Sequence, residues 1–192
     1  MGLLDTLLGR SKPGRPNLDR MFALPPAAVT LDADLGLRSS GGAAVCFKPA
    51  TGSPFATVES DLSALLDVDS QGGTSGGSLE WSTTTDRYGY QWVVLRGDDL
   101  EGVVTHAHMV NSSLETAGYG SQLLCSTFAF DGAPGRLYLV YLYKRGTFYP
   151  FAPRQSDRRD NELELKVRSV LGTELTIEED LARWFPLWGL PL

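Results

Sequence analysis

The chain of 192 residues has little of what marks secreted, membrane-spanning or nucleic-acid-binding proteins. Its two cysteines, Cys46 and Cys125, each lie in an apolar run, so we expect them to be buried and reduced. There is no run of about 18 apolar residues that would predict a transmembrane helix. No secretory signal pattern is visible either, and the expected location is therefore the cytoplasm. A formal net charge of −6 provides no general basic face, so nucleic-acid binding is not predicted.

Residues that could support catalysis or bind a metal are also scarce. His106 and His108 are the two histidines, and at i and i+2 on a helix they would point apart and could not share a metal ion. No nucleophile elbow, phosphate-binding loop or dinucleotide fingerprint is present. Asp98, Asp99 and Glu101 are more simply explained as acids at the positive end of a helix. The sequence predicts neither an enzyme nor a cofactor.

The first sixteen residues predict an amphipathic arm and its linker, followed by a single domain at 17–192. Four leucines share the i, i+3, i+4 spacing of one helical face: Leu3, Leu4, Leu7 and Leu8. Their full burial would contribute at most about 6–12 kcal/mol, whereas ordering eight residues costs about 8–16 kcal/mol of backbone entropy. The arm is therefore expected to fold only against its own domain, a partner or a lipid surface.

The order of predicted elements indicates an α+β fold. Helices are predicted at 17–22, 54–67, 98–117, 161–171 and around 176–185. Strands are predicted at 27–31, 43–48, 79–84, 90–95, 123–130 and 137–143. Pro25 and Pro26 are expected to break the chain, and 39–42 to form a turn. Two helix–strand–strand units, near 54–95 and 98–143, predict an antiparallel sheet with helices packed on it.

The region after residue 160 is predicted to be helical. Two capping boxes, Asn161 with Glu164 and Thr176 with Glu179, would begin the helices. A strand is the alternative for the first of them. The apolar segment 187–192 is expected to dock on the domain or to bind something else.

The stretch 137–161 is the first candidate for a site. It opens with a strand, 137–143, that is apolar on both faces and is expected to be central and covered on both sides. The charged residues beyond it form either a solvated, self-paired loop or a recognition patch. In a patch, arginine forks would bind a partner's carboxylates and aromatic side chains would anchor it. The residues of that patch would be Lys144, Arg145, Tyr149, Phe151, Arg154, Arg158 and Arg159.

Asn111 is a second candidate, because it falls in the middle of the apolar face of the helix predicted at 98–117. A buried asparagine commonly satisfies a backbone group. It can also mark a polar pocket between sheet and helices. The second interpretation leaves open a sensory module that responds to a small ligand or a lipid.

Several segments together resemble one family. They are MGLLDTLLGRSKP, LCSTFAF, VYLYKRGTFYPFAP, RRDNELEL and DLARWFPLWG, and they are similar to the PspAB family of PspA-associated proteins in phage-shock-type operons. The resemblance covers nearly the whole chain apart from the loop at 70–78. It implies a non-enzymatic accessory protein of the membrane-stress response whose partner is PspA or another product of the same operon. Peripheral membrane contact through the arm is a further expectation. The order of elements is also similar to that of YbjN-like and secretion-chaperone-like domains.

Overall fold

The computed structural model describes residues 16–48, 59–60, 62–64, 66 and 79–192. Within these ranges the α-helices are α1 (Leu24–Leu35), α2 (Leu100–Leu114) and α3 (Asn161–Leu171), with helical residues also at 59–60, 62–64 and 66. Short helical turns cover Leu18–Ala23, Glu115–Tyr119 and Leu181–Arg183. The strands are β1 (Leu37–Phe47), β2 (Leu79–Thr85), β3 (Gln91–Gly97), β4 (Leu123–Gly132), β5 (Gly135–Leu142), β6 (Thr147–Phe151), β7 (Pro153–Arg154) and β8 (Arg158–Arg159). The predicted arm, up to residue 15, and the loop at 70–78 lie outside the described residues.

Six strands form one antiparallel sheet in the order β2-β3-β1-β4-β5-β6. β1 lies between β3 and β4, so it joins the two helix–strand–strand units into one sheet. β7 and β8 form a separate two-stranded ladder. The predicted α+β fold and the predicted hairpin of β2 and β3 are confirmed.

β5 is covered on both faces, as its apolar pattern predicts. Leu137, Leu139 and Tyr141 belong to the core beneath the helices. Tyr138 and Val140 belong to a second core on the opposite face. β5 is nonetheless second from the edge of the sheet, because the turn at 144–146 folds the chain back to form β6.

α2 is the main helix on the first face. The carboxylate of Asp99 accepts a hydrogen bond from the backbone N–H of Gly102 at 2.6 Å and caps its first turn. Its buried side chains repeat at helical spacing and include Val103, Val104, Ala107, Val110 and Leu114. This apolar stripe packs α2 on β1, β3 and β4, while α1 packs on β1 and α3.

The second face of the sheet is covered by the last residues of the chain. Trp184 is buried, and partly buried apolar side chains pack beside it: Leu187, Trp188, Leu190 and Leu192. They cover a layer that includes Tyr138, Phe151 and both cysteines. The predicted docking of 187–192 is therefore confirmed.

Cys46 and Cys125 are free and buried, as predicted. They are directly opposite each other on β1 and β4. A hydrogen bond to the Cys125 thiol and burial in the apolar layer raise the pKa of Cys46 above its ordinary value. Both residues therefore act as small apolar side chains in the second core.

The predicted chain break at Pro25 and Pro26 and the strand at 27–31 are wrong, because both lie in α1. Proline is compatible with the first turn of a helix, where its missing N–H would have no partner. The buried residues Leu24, Ala27 and Leu31 have helical spacing. The short helix predicted just before them is confirmed by the turn at Leu18–Ala23.

The predicted turn at 39–42 lies inside β1. It is a bulge, since the pairing of β1 with β4 changes register between Ser39 and Ala43. Gly41 has a φ of 72°, and a Cβ added there would lie 2.1 Å from the carbonyl oxygen of Gly97. Glycine is therefore needed at this position.

The helix predicted around 176–185 is reduced to the turn Leu181–Arg183. The Phe148 N–H donates to the Thr176 carbonyl at 2.8 Å, and the Glu178 N–H donates to the Phe148 carbonyl at 2.7 Å. These residues extend the sheet beside β6 and are not available to begin a helix. α3 is confirmed over its strand alternative, although Asp160 caps it, by accepting from the Leu163 N–H at 3.1 Å.

Candidate functional site

Arg145 lies in the turn between β5 and β6 and is occupied within the fold. Its guanidinium pairs with the carboxylate of Glu178, a side chain that is 2% exposed, and the Thr147 hydroxyl donates to the same carboxylate at 3.0 Å. Burial opposes ionisation of Glu178, but hydrogen bonds from Arg145 and from the Asp180 N–H lower its pKa below the ordinary value. The neighbouring Lys144 is exposed.

Tyr149 and Phe151, expected as aromatic anchors, lie in the core and not on an accessible surface. They are 1% and 0% exposed. The Tyr149 hydroxyl donates to the Phe185 carbonyl at 2.9 Å, and the Phe151 ring packs edge-on against Trp188 with centroids 5.1 Å apart. Residues 184–192, here called the final segment, cover the outer side of β6, so both faces of this strand are buried.

Arg159 also serves the fold. Its Nε donates to the Glu164 carboxylate at 2.9 Å, and a second nitrogen lies 2.9 Å from the other carboxylate oxygen. The same guanidinium donates to the Trp184 carbonyl, while the Ala152 N–H donates to Glu164 at 2.8 Å. Arg159 thus ties together β8, α3 and the final segment.

Arg154 and Arg158 do come together, in a cleft of about 410 Å³ beside α3. They are directly opposite each other in the β7–β8 ladder. A third arginine, Arg136 of β5, lines the same cleft. Sequence reasoning missed it, because only the fold brings residue 136 beside the ladder. The other residues that line the cleft are mainly small or apolar and include Pro134, Gly135, Ala152, Pro153 and Leu163.

The charge of the cleft is incompletely balanced. Arg136 donates to both carboxylate oxygens of Asp131, at 2.7 and 2.6 Å, and Arg154 pairs with Asp160. Burial opposes ionisation of Asp160, but the Leu163 N–H and Arg154 lower its pKa, so it stays charged at neutral pH. Arg158 is exposed, and no ion pair to it is formed by the residues that the structure describes.

Like charges directly opposite each other on a ladder are destabilising. Asp160 already offsets the charge of Arg154. An anion bound beside Arg158 would offset the remaining positive charge, and an arginine fork fits the two oxygens of a carboxylate. The cleft therefore has the charge, the donors and the size to accept an acidic side chain.

The tight turn that joins β7 and β8 is strained. Ser156 and Asp157 have φ values of 61° and 50°, which are uncommon for residues other than glycine. Such conformations cost of order 1–3 kcal/mol each and concentrate at binding and active sites. The turn holds the two arginines in register at the mouth of the cleft.

Asn111 is buried in α2, as its position on the apolar face predicts. Its side-chain nitrogen donates to the Ala107 carbonyl at 2.7 Å and to the Ser126 hydroxyl at 2.8 Å. Its Oδ1 is buried and has no hydrogen-bond partner within the described part of the chain. The predicted leucine patch of the arm, Leu3, Leu4, Leu7 and Leu8, lies outside that part.

The two histidines diverge on α2. His106 Nδ1 lies 2.7 Å from the Gly102 carbonyl oxygen, and His108 Nε2 lies 3.2 Å from a carboxylate oxygen of Asp19. Within residues 16–48, 79–192 and the short described helix between them, no group of three or more His, Cys, Asp or Glu side chains is arranged to hold a metal ion.

The chain is therefore an α+β protein with a six-stranded antiparallel sheet, helices on one face of that sheet and an arginine-lined cleft beside α3. The chain belongs to the PspAB family, PspA associated protein B, whose family model matches residues 1–192. No curated protein and no solved structure matches it. Among the described helices none has the length and apolar character needed to cross a membrane.

Proposed function

We propose that this chain is a non-enzymatic accessory protein of a PspA system that binds a partner protein through an acidic side chain seated in the arginine cleft. Family membership supports the link to PspA. The proposed mode of binding rests on the cross-strand pair Arg154 and Arg158, since no carboxylate of the described residues pairs with Arg158. PspA, or another product of the same operon, is the partner.

A binding measurement with purified PspA tests the proposal. Arg158→Glu reverses the charge that the cleft presents and is expected to weaken binding at least tenfold. Arg158→Lys keeps the charge but loses the fork, so a smaller loss is expected. Arg96→Glu makes the same charge change at an exposed position of β3 that does not line the cleft. Wild-type affinity for Arg158→Glu, or an equal loss for Arg96→Glu, would refute this role of the cleft.

The leucine arm is the second contact that we propose, with PspA or with the inner face of the membrane. Leu4→Asp combined with Leu8→Asp places two charges on its apolar face. We expect the double variant to recover less PspA in a pull-down and to bind less to anionic vesicles. Equal recovery and equal vesicle binding would remove the arm from the mechanism.

A sensory module is the alternative function, favoured by the buried Oδ1 of Asn111, which has no hydrogen-bond partner among the described residues. Such an atom accepts a hydrogen bond from any donor that reaches it. A small ligand or lipid that raises the melting temperature of the wild type, but not of Asn111→Leu, would support it. The residues lining the arginine cleft do not include Asn111, so the two functions have separable variants.

A further inference from the structure

A second cavity, of about 430 Å³, lies on the other side of the strained β7–β8 turn. The turn between β2 and β3 forms one wall, the final segment forms a second, and Asp157 lies on the third side. The lining side chains that matter chemically are Asp86, Tyr88, Trp92, Asp157 and Trp188. They combine aromatic rings with carboxylates. The carboxylates are negative, whereas the side chains that define the first cleft are positively charged arginines.

Three aromatic side chains line this cavity. Trp92 is buried in the second core, whereas Tyr88 is 59% exposed. Trp188 is half-buried and is held edge-on against Phe151. Aromatic faces attract cations, and the attraction increases as the site loses water. The fold already contains one such contact, since the guanidinium carbon of Arg87 lies 4.8 Å from the centre of the Tyr88 ring.

Asp86 supplies a fixed negative charge. One of its carboxylate oxygens accepts from the N–H groups of Tyr88 and Tyr90, at 2.8 and 2.9 Å. The other accepts from the indole N–H of Trp92 at 3.1 Å. Burial opposes ionisation, but these hydrogen bonds, that of Trp92 first, lower the pKa of Asp86 below its ordinary value. The carboxylate is therefore charged at neutral pH.

Asp157 supplies the second carboxylate. It is exposed, it has a φ of 50°, and no residue in the described part of the chain donates a hydrogen bond or pairs with it. With Asp86 it outweighs the single positive charge of Arg87 in the lining. The cavity therefore has a net negative charge between aromatic walls.

We propose that this cavity binds an arginine side chain of a partner protein. A guanidinium group is planar and stacks on aromatic rings, and it also donates several hydrogen bonds to carboxylates. A quaternary ammonium group has no N–H to offer Asp157, and an anion would be repelled by both carboxylates. The site is separate from the arginine cleft and does not depend on the function proposed for it.

The test is an NMR titration of the ¹⁵N-labelled protein with N-acetyl-arginine amide. Four tryptophans give four indole N–H signals. The signals of Trp92 and Trp188 are expected to shift and saturate. That of Trp184 is expected to stay in place, because its indole N–H donates to the Glu178 carbonyl at 3.0 Å outside this cavity. N-acetyl-citrulline amide, which has the same shape without the charge, is the matched ligand control and should produce no saturable shift.

Two substitutions test whether the titration signals report binding at this cavity. Asp157→Asn removes one charge without changing the size of the side chain and is expected to weaken binding at least fivefold. Arg158→Glu alters the neighbouring cleft and makes the surroundings of Asp157 more negative, so it should not weaken this titration. Failure of one site is therefore distinguishable from failure of the other. Equal shifts with citrulline, unchanged affinity for Asp157→Asn, or tighter binding of tetramethylammonium than of arginine would overturn the proposal.

Discussion

The ion pair of Arg145 and Glu178 is expected to stabilise the folded state, although the sequence places Arg145 in a binding patch. Arg145→Met keeps most of the side-chain volume and removes the guanidinium. Among the described residues, the Thr147 hydroxyl and the Asp180 N–H would then remain as donors to the Glu178 carboxylate, at 3.0 and 3.2 Å. A buried carboxylate would thus lose its cation.

The expected cost follows from the exposure of the two partners. A hydrogen bond to a charged group contributes about 1.5–3 kcal/mol. Because Arg145 is 45% exposed, solvent screening lowers its share to about 1–2 kcal/mol. With a denaturant slope of about 2 kcal/mol per molar urea, the unfolding midpoint should fall by roughly 0.5–1 M.

The assay is urea unfolding from pH 7 to pH 3, followed by fluorescence. The folded-state pKa of Glu178 lies below its unfolded value. The carboxylate therefore contributes fully above the unfolded pKa, and its contribution is lost as the pH falls through the lowered folded-state pKa. The difference between wild type and Arg145→Met should shrink towards acid, and Glu178→Gln combined with Arg145→Met should cost less than the two single changes added together.

Two results would contradict this reasoning. One is an unchanged midpoint at pH 7, and the other is a difference that stays constant across the whole pH range. Under the proposed function, the folded Arg145→Met variant is expected to bind PspA as tightly as the wild type does. A large loss of binding without loss of stability would indicate that Arg145 contacts the partner.

Three further substitutions test other parts of the fold by chemical denaturation. Gly41→Ala should destabilise by more than about 2 kcal/mol, because its φ is unfavourable for alanine and the new Cβ would meet a backbone oxygen of β3. Tyr149→Phe should cost about 1 kcal/mol through loss of its bond to the Phe185 carbonyl, with faster hydrogen exchange in the final segment. Asp99→Ala should cost about 1 kcal/mol by removing the cap of α2, and Asp99→Asn or Asp99→Ser should restore most of it. Wild-type stability for any of the three alanine or phenylalanine variants would contradict the corresponding contact.

The elements that the sequence predicts best are those with a local signal. α2, β4 and β5 were predicted because hydrophobic spacing within each segment reports which face is buried. α1 does not follow from the local pattern, because two adjacent prolines usually interrupt a helix, whereas here they occupy the first turn, which tolerates them. The bulge of β1 resembles a turn in sequence for a similar reason, since glycine occurs in both.

The candidate site was predicted less well, because charge balance depends on partners that are distant in the chain. The carboxylate that occupies Arg145 comes from residue 178. Arg136, which completes the cleft with Arg154 and Arg158, comes from a different strand and lay outside the predicted patch. No local sequence pattern distinguishes an arginine that forms an ion pair within the fold from one that does not.

The covering of the second face by residues 184–192 has a consequence for synthesis. All six strands leave the ribosome before the segment that covers Tyr138, Val140 and Phe151. Until that segment arrives, the nascent sheet presents an apolar face to water and to other chains, a condition that favours aggregation. The second core is therefore completed only after residues 184–192 have been synthesised.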